Sequence, residues 1–311
     1  MGNKPPAAAE TAAASPEGSE AFETHEMTMA QLRTQLQVLI TYAQGSRPEL
    51  QREVAEKLAN EAVKAERRAE IVELGGLRLL MPLTKSKDME VKRLAAHALA
   101  NLSVDETNQV KMAEEGGVEM LVRLLAVPSD TVQRQAAKAL ANLGVHKKNK
   151  VLIAEKGAVA PLIALVESGP VGVQIEAVAA LANLAVNDRN EEVIAEAGGI
   201  EPIVKAVTAA TAGTVPLGAG IAPSRGPAMV TELQSQCARA LRNLSVRQAN
   251  KDRIRACGGE RVLRELAELD HERIASQAAR AIRNLNASAA AAAGAGTAAA
   301  ATDGPAAPAT G

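Results

Sequence analysis

The chain has 311 residues, and 35 Lys and Arg against 36 Asp and Glu leave a net charge of −1, which excludes a global electrostatic bias toward nucleic acid or an anionic membrane. With one Tyr, one Phe and no Trp, the core has to be built from Leu, Val, Ile and Ala, and any basic surface lacks the interleaved aromatics on which single-stranded bases stack. Two cysteines, Cys237 and Cys257, are too few for a disulfide framework and have no metal-ligand spacing, which fits a reducing intracellular compartment.

Residues 1–27 are dominated by Ala, Pro, Gly and Glu and are expected to form a disordered tail, because they lack the large apolar side chains that repay ordering entropy. No secretory signal is expected, and the acidic, Arg-free start differs from an organellar transit peptide. Gly2 raises N-myristoylation, but Pro6 stands where Ser or Thr is wanted, so the unmodified tail is the favoured reading and a membrane role would require acylation at Gly2. No apolar run approaches the roughly 20 residues needed to span a bilayer.

The segment from Thr28 to Ala43 places Leu32, Leu36, Leu39 and Ile40 on one face, which suits an N-terminal capping helix. From there the chain repeats. Asn60, Asn101, Asn142, Asn183 and Asn243 each sit in a Leu-Ala-Asn or Leu-Arg-Asn segment and Asn284 in Ile-Arg-Asn, at spacings of 41, 41, 41, 60 and 41 residues. A second punctuation runs in register with the first: Gly75-Gly76, Gly116-Gly117, Gly157-Ala158, Gly198-Gly199 and Gly258-Gly259. Glycine pairs end helices, so each unit reads as a short first helix such as 108–115, a glycine corner, a second helix such as 118–127, and a longer third helix such as 130–143. Asn108, Asn149, Asn190 and Asn250 are positioned as caps of the first helices. A period of this length, with no strand-like alternation, predicts an all-α solenoid over residues 28–286.

Between Thr208 and Thr231 the chain carries about 19 extra residues, rich in Gly and Pro, which read as a loop at about 209–230 inserted before a third helix. A tolerated surface insertion is the first reading and a functional loop the alternative. The pattern stops at Leu285 with no evident polar capping repeat, and residues 287–311 read as a disordered Ala/Gly-rich tail. That leaves an uncapped C-terminal end, to be covered by the alanine tail folding over it, by a partner or by a second copy.

The phrases "ALANLSVDETNQVKMAEEGGVEMLVRLL" and "ALANLAVNDRNEEVIAEAGGIEPIV" resemble the armadillo repeat, in its vacuolar and plant-type form. HEAT repeats usually have two helices and lack this corner with an asparagine row. The resemblance implies a right-handed solenoid of about five to six three-helix units, the first one partial. It also implies that third helices line a concave groove in which the six ladder asparagines hydrogen-bond the backbone of an extended peptide. An amide can both donate to and accept from a peptide strand without reading its side chains.

Helical geometry locates the neighbours of that row, since residues four and eight before each asparagine lie about 40° and 80° around the helix, and the residue just before it about 100° around on the same side. The stripe is basic: Arg52, Arg93, His97, Arg134 and Lys138 form an N-terminal patch, and Arg239, Arg242, Arg280 and Arg283 a C-terminal one. Ile175, Glu176 and Ala179 interrupt it with an expected apolar gap. The importin-α-like use of the family needs tryptophans for a basic cargo, and this chain has none; the basic stripe is similar to the β-catenin style, which receives acidic partners. The expected ligand is an acidic linear segment of a protein, with phosphorylated residues suiting the arginines. Five helix intervals of roughly 10 Å would span about 15 extended residues.

No phosphate-binding loop, His-Glu-x-x-His site or nucleophile elbow is present, so no enzyme, catalytic residue, metal, cofactor, small-molecule substrate or nucleic-acid ligand is expected. The leading function is a cytoplasmic protein-interaction scaffold or adaptor, with nuclear or cytoskeleton-associated placement as variants. The alternatives are an assembly subunit, for example of a cytoskeletal complex, and a membrane-tethered organiser acylated at Gly2. The acidic tail residues Glu10, Glu17, Glu20, Glu23 and Glu26 are also complementary to the groove.

Overall fold

A computed structural model describes residues 29–218 and 222–287; the expectations for both tails, including Gly2 and Pro6, lie outside the described residues. The described residues form seventeen α-helices and two 3-10 turns, with no strand among them. Helices α1 (Met29–Gln44) and α2 (Pro48–Val63) open the stack. Five three-helix units follow: α3 (Arg68–Glu73), α4 (Gly76–Leu83) and α5 (Met89–Leu102); α6 (Glu106–Glu114), α7 (Gly117–Leu125) and α8 (Asp130–Leu143); α9 (Lys147–Glu155), α10 (Val159–Ser168) and α11 (Val171–Leu184); α12 (Asp188–Glu196), α13 (Ile200–Thr211) and α14 (Gly226–Leu244); α15 (Gln248–Ala256), α16 (Gly259–Ala267) and α17 (Glu272–Asn286). None of these helices is long and apolar enough to cross a membrane.

Third helices pack on third helices in the order α2, α5, α8, α11, α14, α17. Their shared face is made of small residues: Ala95, Ala96 and Ala98 of α5 and Ala136, Ala137 and Ala139 of α8 are fully buried, which brings neighbouring backbones close. Leu99, Leu140, Leu181, Leu241 and Leu285 fill the space behind them. The solenoid therefore has one continuous Leu/Val/Ile/Ala core rather than a core per unit.

The corners follow from glycine chemistry. Gly116 has φ 84°, a left-handed conformation that a side chain would strain, and a Cβ on Gly117 would lie 2.5 Å from the Met112 carbonyl oxygen. Gly75, Gly157, Gly198 and Gly258 share the left-handed backbone, so every unit turns from first to second helix in the same way.

Three expectations are corrected. Asn108, Asn149, Asn190 and Asn250 are not caps: each lies inside the first turn of its helix and is buried. Their Nδ2 groups donate across the repeat boundary, to Arg68 O (2.9 Å), Gln109 O (2.9 Å), Lys150 O (2.8 Å) and Glu191 Oε1 (2.9 Å) respectively. The capping is done instead by Asp105 for α6 and Asn187 for α12. Next, part of the insertion is helical. It lengthens α13 to Thr211 and begins α14 at Gly226, so that the connection itself is 212–225.

Finally, the C-terminal end is capped by its own charges. Arg255 and Arg264 pair with Glu260 at 3.3 and 2.6 Å, and Arg261 with Glu265 at 2.9 Å. Arg255 also donates to Leu285 O (2.6 Å) and the buried Lys251 to Ala287 O (2.8 Å), which satisfies the last carbonyls of α17. Among the described residues, no large apolar side chain of α15, α16 or α17 is exposed. At the other end α1 packs on α2 and α4 through Leu39, Ile40 and Ala43.

Candidate functional site

The candidate site is the outer face of the third-helix stack. The ladder asparagines do stand in a row along it, yet most of them are already bonded to the protein. Asn142 Nδ2 donates to Ser103 Oγ at 3.0 Å, Asn183 Nδ2 to Ala141 O at 2.7 Å, Asn243 Nδ2 to Ala182 O at 2.8 Å, and Asn284 Nδ2 to Arg242 O and Ser245 Oγ at 3.2 and 3.1 Å. Each bond reaches the end of the preceding third helix. The row thus fixes the register of successive repeats and satisfies carbonyls that a helix end leaves open. Asn60 is exposed at the start of the row, and the Asn101 Nδ2 atom is buried without a partner.

Two amides are committed on their carbonyl side as well. Asn183 Oδ1 accepts from Arg239 Nη1 at 2.8 Å, and Asn243 Oδ1 accepts from Arg242 Nε and Nη2 at 3.1 and 2.9 Å. Asn101, Asn142 and Asn284 keep their Oδ1, and every ladder amide that donates once keeps a second Nδ2 hydrogen.

The basic residues divide in the same manner. Arg52 is held by Asp88 (2.9 Å) and Arg93 by Glu90 (2.7 Å), so the N-terminal patch is half neutralised. Arg134 and Lys138 of α8, and Arg280 and Arg283 of α17, have no hydrogen-bond or ion-pair partner among the described residues; Arg134, Lys138, Arg280 and Arg283 are all exposed. His97 lies half-buried beside the first pair, and burial, then Arg93, Lys138 and Arg134, lower its pKa from 6.5.

The expected apolar gap is corrected. Arg239 lies back across it, donating to Ala179 O (3.3 Å) and Gln236 Oε1 (2.7 Å) as well as to Asn183. The small Ala179 leaves room for this guanidinium, whose burial pulls its pKa down to about 10. Its Nε is buried without a partner. On α11, burial raises the Glu176 pKa, while Lys138 and Arg134 pull it the other way. The middle of the face is therefore polar and crowded. Free positive charge is concentrated in two foci, on α8 and on α17.

Sequence reasoning missed the serine partners, although a signal was present. Ser103 and Ser245 stand two residues after Asn101 and Asn243, and the next asparagine bonds their hydroxyls; where Gly144 and Ala185 stand instead, the next asparagine bonds a backbone carbonyl. The long reach of Arg239 had no sequence signal, because it depends on the depth of the neighbouring alanine.

A family model described as Kinesin-associated protein (KAP) matches residues 23–210. No curated protein matches the chain. Among solved structures, an engineered protein is 32% identical with a TM-score of 0.68, over 81% of this chain and 96% of its own. A designed armadillo repeat protein in complex with the peptide (KR)4 is 24% identical with a TM-score of 0.66, over 81% of this chain and 100% of its own. A structure reported for the phosphorylation-controlled interaction between cadherin and β-catenin is 18% identical with a TM-score of 0.65, over 80% of this chain and 44% of that one.

Proposed function

Because the chain belongs to the kinesin-associated protein (KAP) family and is built of armadillo repeats, we propose that it is a non-catalytic scaffold holding an extended, acidic segment of a partner protein along its third-helix face. The observation that carries this reading is the pair of unpartnered cation foci, Arg134 with Lys138 on α8 and Arg280 with Arg283 on α17, with Lys138 and Arg280 at equivalent positions four residues before their ladder asparagines. Three helix intervals of roughly 10 Å separate them, a distance that about nine extended residues would cover. The uncommitted Oδ1 atoms of Asn101, Asn142 and Asn284 lie along the same row and can accept main-chain hydrogen bonds.

The charge sense separates this chain from the designed repeat that holds (KR)4, since lysines and arginines would meet like charges here. A fluorescein-labelled 15-residue Glu/Ser peptide, titrated by anisotropy, tests the reading. Binding should weaken with salt and fall by about tenfold or more in an Arg134→Glu, Lys138→Glu, Arg280→Glu, Arg283→Glu protein, with no uptake of (KR)4 by the wild type. Salt-insensitive binding, or equal affinity of the two proteins, would overturn it.

The family description favours one second reading: an assembly subunit that associates with a kinesin. Co-purification of a kinesin with both the wild type and the four-site variant would favour assembly through another surface.

A further inference from the structure

We propose that the insertion equips the third-helix face with a specificity pocket for a large apolar side chain in the bound acidic segment. This rests on the acidic-segment reading given above and adds to it a second determinant, built by residues that the other units lack.

The first part of the connection, 212–218, is pinned to the preceding unit, because Pro216 O accepts a hydrogen bond from Val171 N, at the start of α11, at 3.0 Å. Leu217 follows and packs where α14 begins: a Cβ on Gly226 would lie 3.0 Å from Leu217 Cδ1. The extra helical turn changes the wall as well. α14 has 19 residues where α5, α8 and α11 each have 14, and the added turn carries Met229. Met229 Cε and Arg134 Cδ come within 3.3 and 3.4 Å of the place where Gly172 would carry a Cβ, so the absence of a side chain at Gly172 lets residues from α8 and α14 meet over α11.

These elements enclose an open cleft of about 410 Å³. Pro170, Val173, Leu217 and Met229 give it apolar walls; Arg134 and Arg225 are its cations, both exposed and without partners among the described residues. Asp130 is the one acid among the described lining residues, in the first turn of α8. Apolar walls beside two free guanidinium groups suit a Phe or Leu side chain with carboxylates next to it in sequence. Arg134 belongs both to this cleft and to the α8 cation focus, so a chain lying on that focus passes the cleft mouth.

The test uses the full-length protein and two labelled 15-residue Glu/Ser peptides that differ only in a central Phe or Ala. The wild type should prefer the Phe peptide by about tenfold or more, the effect of burying one aromatic side chain. Gly172→Met, which fills the cleft from the first turn of α11, should remove that preference. Leu217→Ala, which trims the wall between the connection and the start of α14, should reduce the preference without disturbing α11. Equal wild-type affinity for both peptides, still lost in the four-site charge variant, would overturn the pocket and leave the groove reading standing. Binding of neither peptide would overturn both.

Discussion

Asn142 donates from Nδ2 to the hydroxyl of Ser103, 3.0 Å away, and so ties the end of α8 to the end of α5 one repeat earlier. Ser103 in turn donates to Ala100 O at 2.7 Å, which makes a short chain of bonds across the repeat boundary. Asn284 and Ser245 repeat the arrangement.

Ser103→Ala should cost less than about 1 kcal/mol in urea unfolding, because Asn142 can turn to the Ala100 carbonyl as Asn183 turns to Ala141. Asn183→Ala should cost more, about 1–3 kcal/mol, since it strands both Ala141 O and the Arg239 donor. Equal losses would mean that the ladder does not hold the repeats in register.

The buried asparagines of the first helices should matter more to stability than the exposed end of the ladder. Asn149→Ala leaves Gln109 O without its partner in the interior and is expected to cost about 1–3 kcal/mol, whereas Asn60→Ala should stay within about 0.5 kcal/mol. Thermal melts followed by circular dichroism would rank the two; the reverse order would count against the inter-repeat role.

Two neighbouring glycines should respond differently to alanine. Gly116→Ala places its methyl group in ordinary contact with Glu119 Oε2 at 3.9 Å and loses about 1 kcal/mol through its left-handed backbone, while Gly117→Ala drives a methyl group into the Met112 carbonyl and should lose more. A Gly117→Ala protein as stable as the wild type would show that the corner relaxes freely.

Arg239→Met and Arg280→Met should separate stability from binding. The first removes a buried guanidinium bonded to Asn183, Ala179 and Gln236 and should lower the unfolding midpoint; the second removes an exposed, unpartnered charge and should weaken only the acidic peptide. Loss of binding without loss of stability in Arg239→Met would restore it to the ligand surface.

His97 gives the face a pH dependence of predictable sign. Its pKa is lowered below 6.5 by burial first and by Arg93, Lys138 and Arg134 next, so the folded state holds a neutral ring where the unfolded chain begins to take up protons. That stabilising contribution is complete above pH 6.5 and is lost as the pH falls through the folded value. His97→Gln should therefore flatten the loss of stability below pH 6.5. An acidic peptide would favour the protonated ring, so its wild-type affinity should rise between pH 7.5 and 6, more than that of His97→Gln measured by the same anisotropy titration.

How much of this was legible can be judged at particular residues. Gly116 and Gly117 announced the corner, since only a glycine pair allows that backbone and that approach, and the 41-residue spacing of Asn101, Asn142 and Asn183 announced the stack. The direction in which those amides point was not legible, because a side chain with two donors and an acceptor serves a neighbouring repeat and a ligand equally well.

The sequence by itself determined an all-helical solenoid, its core of Leu, Val, Ile and Ala, and the six positions that share one face, because periodicity and local backbone preference act within a single unit. Only the tertiary structure decided that Arg239 bridges the fourth position, that Asn149 is an inter-repeat bond rather than a cap, that charged residues close the C-terminal end, and that the insertion leans on α11. Those outcomes depend on the spacing and rotation of one repeat against the next, which set whether a long side chain finds water, a carbonyl or another charge.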